Sequence, residues 1–177
     1  MSSVEPSICA MGAQMKASIG AISVCIFSTV AAAGTFEVPY EKPSYTVAVP
    51  DKWSPNHSDS GVDAAAPDRS TFLSISTFDT ADCAAARDDA LTFLSHDSMI
   101  IDKTSATESA SSIAGRPATQ TRYSGTSEGK ANLVVILVAP LGGKRCIQIA
   151  QWGTPAGSKN NAGGVAQILG SIKLLGN

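Results

Sequence analysis

Large aromatic side chains are scarce: Phe, Trp and Tyr make up 6% of the 177 residues, so any core must be assembled from Ala, Val, Ile, Leu and buried Ser or Thr. Histidine is scarcer still. His57 and His96 are the only two, which leaves little for acid–base or metal chemistry. No run of Lys or Arg occurs, and 13 basic against 15 acidic residues give a net charge of −2, which argues against a nucleic-acid partner. Zinc-type Cys/His spacing, a phosphate-binding loop, and a nucleophile elbow between a strand and a helix are all missing. The sequence therefore implies no metal and no cofactor, and names no reaction. It has no internal repeat, and its Gly and Pro are spread rather than gathered into a linker, so nothing marks a second domain.

What is present begins with the N-terminus. One late cation, Lys16, precedes an uncharged stretch at residues 17–30 rich in Ala, Ile, Val and Phe, and this ends in Ala31-Ala32-Ala33. That is the pattern of a secretory signal peptide over residues 1–33, with small residues at −3 and −1 for cleavage after Ala33. A membrane anchor is the competing reading, but residues 17–33 reach only the bottom of the spanning range of about 17–25 residues and end without Lys or Arg. Met11 and Met15 offer alternative starts. Cys25 follows Val24, where a lipobox needs a small residue, so lipidation is not expected. Export leaves residues 34–177 as one domain, in the periplasm or secreted, with no membrane span and with Cys83 and Cys146 as its cysteines. In an oxidising compartment the pair suggests a disulfide, worth about 4 kcal/mol for a loop of this length. Two buried thiols that never meet are the alternative.

Residues 45–49 read as a strand stopped by Pro50-Asp51, with Trp53 just past the turn. Residues 70–78 alternate with apolar area on both faces, as in a central strand. Asp79-Thr80-Ala81-Asp82 supplies capping oxygens for a helix at 83–95, with 83, 86, 90, 93 and 94 as its apolar positions. Strands at 100–107 and 118–123 flank the turn-rich Ala114-Gly115-Arg116-Pro117. Residues 133–138 and 146–152 form a hairpin across Gly142-Gly143, and a last helix spans about 161–171, capped by Asn160 or Asn161.

This order, with Val49-Pro50-Asp51-Lys52-Trp53, the Ala114-Gly115-Arg116-Pro117-Ala118 turn and a closing Ile168-Leu169-Gly170-Ser171-Ile172-Lys173, resembles the PsbP-like proteins, nearest the bacterial periplasmic DcrB-like group. The resemblance covers nearly all of residues 34–177. It implies a single α+β domain, an antiparallel sheet flanked by helices, that acts as a non-catalytic accessory or binding module. It carries over no binding residues, and the Cys83 and Cys146 pair is not one of its hallmarks.

Candidate chemistry is thin. Trp53, at a strand end, adjoins a polar loop with His57, Asp59 and Asp63, so an apolar platform beside orienting groups could hold a small ligand or a peptide; a core plug beside a solvated loop is the plainer reading. Trp152 also ends a strand pattern, with the same two readings. His96-Asp97-Ser98 has the residue types of a triad, but adjacent side chains at a helix end diverge. Asn56-His57-Ser58 is a formal glycosylation sequon, and Arg87-Asp88-Asp89 reads as a solvated helix face. Two functions follow: an envelope accessory or binding protein whose partner is an envelope protein or small ligand, or an inhibitor or immunity-type protein presenting a loop such as 124–129 to a secreted enzyme.

Overall fold

The computed structural model describes residues 33–39, 41–96 and 98–175. The signal peptide expected over residues 1–33 lies outside the described residues except for Ala33, and so does Asp97.

Two antiparallel sheets organise the chain. The smaller comprises β1 (Ala33–Val38), β2 (Tyr45–Pro50) and β10 (Lys173–Leu174), with β2 in the middle. The larger has seven strands in the order β3-β4-β5-β9-β8-β7-β6, formed by β3 (Asn56–His57), β4 (Gly61–Ala65), β5 (Thr71–Phe78), β6 (Met99–Ile113), β7 (Arg116–Ser127), β8 (Lys130–Pro140) and β9 (Cys146–Gly153). Helix α1 (Cys83–His96) covers one face of it, while α2 (Pro155–Asn160), α3 (Ala162–Gly170) and the small sheet lie against the other. The expected α+β domain with an antiparallel sheet flanked by helices is therefore the observed fold.

Alternation assigns the two cores. Leu73 and Ile75 of β5, Ile147 and Ile149 of β9, and Val135 and Leu137 of β8 pack toward the small sheet and α3, with Val47, Val49, Trp53, Val165 and Ile168. Successive strand residues point to opposite faces, so Val134, Ile136, Val138, Cys146 and Ala150 meet Ala86, Ala90, Leu91 and Leu94 of α1. Small Ala residues on α1 bring it close to the sheet. Its start is fixed twice: Asp82 Oδ1 accepts from the Ala84 N–H at 2.9 Å, an N-cap contact, and Cys83 is disulfide-bonded to Cys146, with Cα atoms 5.7 Å apart. The expected disulfide is thus present, tying the first residue of α1 to the first of β9.

Several expectations need correction. The β6–β7 hairpin is much longer than the two short strands expected, because the Ser- and Thr-rich residues 107–112 pair as a ladder without any apolar alternation. Its turn is only Ala114-Gly115, both at positive φ, as a two-residue hairpin of the primed type requires. The ladder is interrupted between Asp102 and Thr107, where the Asp102 carboxylate accepts from both the N–H and the hydroxyl of Thr104. The last helix is in fact two. Thr154 caps the first by accepting from the Gly157 N–H at 3.0 Å, and Asn161 stands between them without capping through its side chain. Phe93, expected on the buried face of α1, is 47% exposed.

Asn161 has another task. Its Nδ2 donates to both Asp68 oxygens, at 3.1 and 3.2 Å, and to the Gly157 carbonyl, joining the β4–β5 turn to the α2–α3 junction. Hydrogen bonds from Ser70, with Asn161 adding to them, hold the Asp68 carboxyl below its ordinary 3.8. A carboxyl whose native pKa is depressed binds its proton later than the unfolded chain does, so its stabilisation is complete above the unfolded value and disappears as pH falls past the native one. Denaturant titrations between about pH 6 and pH 2 should show a shallower acid limb below the ordinary value in Asp68→Asn than in the parent. Parallel acid limbs would remove Asp68 as a linkage group.

Candidate functional site

Helix α1 is narrower than the sheet beneath it. It packs over β8, β9 and β6 and leaves the same face of β4 and β5 uncovered, so a cleft runs along its outer side. One end is a hollow of about 260 Å³ lined by Ser58, Ser60, Asp63, Ser74, Ser76 and Gln148, with Asp89 and Phe93 from α1 as its wall. The other end, about 280 Å³, is lined by Asn56, Phe72 and Trp152 and shares Asp63 and Phe93 with the first. The register explains the lining: Asp63 pairs with Ser74 and Gly61 with Ser76, while Ser74 pairs with Ala150 and Ser76 with Gln148. Short side chains in adjoining strands therefore fall on one face.

The aromatics form a group. Phe72 stacks on Trp152 with centroids 5.6 Å apart and planes 18° from parallel, and Phe93 meets the Trp152 ring nearly edge-on at 6.2 Å. Offset-stacked and edge-to-face pairs are the favourable aromatic geometries, so the exposed Phe93 ring is held in place.

Gln148 is the polar counterpart. The residue is only 6% exposed, yet its side chain lines the hollow and has no hydrogen-bond partner among the described residues. Polar side chains this deep are usually paired within the protein, whereas the Gln148 amide stays open to the hollow.

The four residues expected to form a site do not come together. Trp53 is buried at 1% exposure, and the position where a Cβ on Gly164 would stand lies 2.6 Å from its Cζ2, so it plugs the core against α3 and offers no platform. His57 shares the face of its partner Val62 and sits with its ring 5.4 Å from that of Phe36. Asp59 is exposed in the β3–β4 turn. Asp63 alone lines the cleft. The missing components, Gln148, Phe93 and Asp89, come from segments far apart in the sequence; Trp152 had been visible as an aromatic at a strand end.

Other motifs resolve simply. Residues 125–129 read Gly-Thr-Ser-Glu-Gly, the letters of a nucleophile elbow, but they cross the β7–β8 turn from strand to strand, without the required helix. The loop expected at 124–129 is mostly β7, paired on both sides through Ser127. No cluster of three metal-ligating side chains occurs among the described residues, and none of their helices is long and apolar enough to cross a membrane.

Neither a family model nor a curated protein matches the sequence. Solved structures do match in shape. Cyanobacterial PsbP (CyanoP) from Synechocystis sp. PCC 6803 superposes with a TM-score of 0.54 at 11% identity, covering 87% of this chain and 99% of that one. The fold is PsbP-like. LpqN, involved in cell envelope biogenesis of Mycobacterium tuberculosis, shares this PsbP-like architecture with a TM-score of 0.52 at 18% identity, over 81% of this chain and 92% of its own. A Bacteroides thetaiotaomicron protein matches with a TM-score of 0.55 at 15% identity, but over only 48% of its length and 81% of this chain. At such identities the likeness speaks for the PsbP-like fold alone, since one fold hosts many functions.

Proposed function

We propose that this chain is a non-catalytic accessory or binding module of the cell envelope, exported through a cleaved leader at residues 1–33, and that it belongs with the DcrB-like branch of PsbP-like proteins. Its ligand seats in the cleft between α1 and strands β4, β5 and β9. The observation that carries the reading is the combination of an unpaired amide, opening into the hollow from the nearly buried residue Gln148, with a held, half-exposed aromatic ring at Phe93. A concave surface with apolar walls and a few convergent polar groups is the usual form of a ligand site. Two further observations support the compartment: a disulfide, which persists in oxidising surroundings, and the shared fold of LpqN, a protein involved in cell envelope biogenesis. The alternative of an inhibitor presenting residues 124–129 is weakened, because a strand paired on both sides has no free backbone to offer.

Filling the cleft tests the assignment. Wild type and Ser74→Trp, each with its melting temperature measured, are incubated with small-molecule extract from bacterial envelopes and examined by native mass spectrometry. Wild type should retain a bound species that folded Ser74→Trp loses. Equal retention by the two proteins would place the ligand elsewhere.

A further inference from the structure

Resting on that reading of the cleft, we propose that its polar end receives an organic cation: a primary ammonium or guanidinium group, carried by a small free amine or by a Lys or Arg side chain of a peptide. Two carboxylates, Asp63 and Asp89, face this hollow, and no Lys, Arg or His lines it. An anion would meet like charge on both sides, and a neutral ligand would draw nothing from either carboxylate beyond a hydrogen bond.

Acidic groups alone would be a solvated surface. The second observation is Gln148 at the floor: the residue is 6% exposed, its side chain has no hydrogen bond among the described residues, and its amide stays open to the hollow. Turned inward, its Oε1 can accept from a donor in the hollow. An ammonium brings three donors and no acceptor, which matches a lining of carboxylate, amide and hydroxyl oxygens from Asp63, Gln148, Ser74 and Ser76. Phe93 adds a ring at the wall, and a cation over an aromatic face is attracted by its quadrupole. Arg145 shows the contrast: in the β8–β9 loop it already holds Asp79 at 3.0 Å and Ser44 at 2.6 Å, whereas neither Asp63 nor Asp89 forms an ion pair among the described residues. Space agrees with a short ligand, since 260 Å³ compares with about 30 Å³ per water in the liquid.

The test uses the full chain and four probes by calorimetric titration: 1,4-diaminobutane, Nα-acetyl-lysine methylamide, Nα-acetyl-arginine methylamide and the neutral 1,4-butanediol. At least one cation should bind, with the diol weaker by about tenfold or more, and Asp63→Asn and Gln148→Leu should each weaken that binding by about tenfold. Raising salt toward about 1 M should weaken it further, since the screening length shrinks to about 3 Å. Tighter binding of diaminobutane identifies a free amine as the source, and tighter binding of a capped amino acid identifies a peptide. Diol binding equal to that of the cations, or no heat from any cation, overturns the proposal. If the cations fail while Ser74→Trp still abolishes retention of the envelope species, the cleft stands and its charge preference falls; if both experiments fail, both readings fall.

Discussion

Reduction of the Cys83–Cys146 bond is expected to lower the unfolding free energy by about 4 kcal/mol, because the cross-link restricts the unfolded chain across a separation of 63 residues. For a domain of this size that corresponds to a fall in melting temperature of roughly 8–16 °C. The bond does more than close a loop. It joins the first turn of α1 to β9, beneath a helix whose buried face is largely Ala86, Ala90, Leu91 and Leu94, a modest apolar area for 14 residues. Loss of the bond should therefore loosen α1 first, and with it the wall that carries Asp89 and Phe93. Melting of wild type with and without reductant, beside the Cys83→Ala/Cys146→Ala protein, measures the effect. A shift below about 2 °C would mean that packing alone holds the helix.

Trp53→Ala should cost about 3–5 kcal/mol, the range for deleting a fully buried aromatic, and leave the cleft intact. Its partner supplies a sharper check. Glycine inside a helix is ordinarily replaced by Ala with a gain of about 1 kcal/mol, yet at Gly164 the new methyl would stand 2.6 Å from Trp53 Cζ2 and 2.9 Å from Nε1. Gly164→Ala is expected to destabilise the parent and to be neutral or stabilising in the Trp53→Ala background, a reversal that a double-mutant cycle by urea denaturation reads directly. A gain from Gly164→Ala in the parent would show that the Trp53 ring is not the obstacle. Trp53→Ala protein that folds well but no longer retains the envelope species would return Trp53 to the ligand site.

The contrast between Trp53 and Trp152 shows where sequence reasoning stops. Both follow strand patterns, and periodicity places each at the end of a strand, but the outcome depends on what crosses that end: α3 with its glycine closes over Trp53, whereas α1 stops short of covering Trp152. Alternation and capping made β2, β5, β9 and α1 legible nearly to the residue, and β8 in its apolar centre. The β6–β7 hairpin was legible only in part, because residues 107–112 gain their strand character from ladder bonds and not from burial. The α2–α3 break was hidden by an Asn that is a good cap by type but is engaged by Asp68. Of the cleft, Asp63 and Trp152 were named as candidate ligand contacts. Asp89 read only as part of a solvated helix face, and the Ser residues and Gln148 look ordinary along the chain and become a lining only through the pairing of β4, β5 and β9.

The small sheet bears on how the molecule assembles in time. Strand β2 is flanked by β1 on one side and by β10 on the other, with Thr46 paired to both Glu37 and Lys173. A chain emerging from its N-terminus can form the first pairing early, but the second waits until residues 173–174 have been delivered, and contacts between residues so distant in sequence are slow to form. Completion of the small sheet is thus coupled to arrival of β10, and a chain halted before residue 173 keeps one edge of β2 open to other partners.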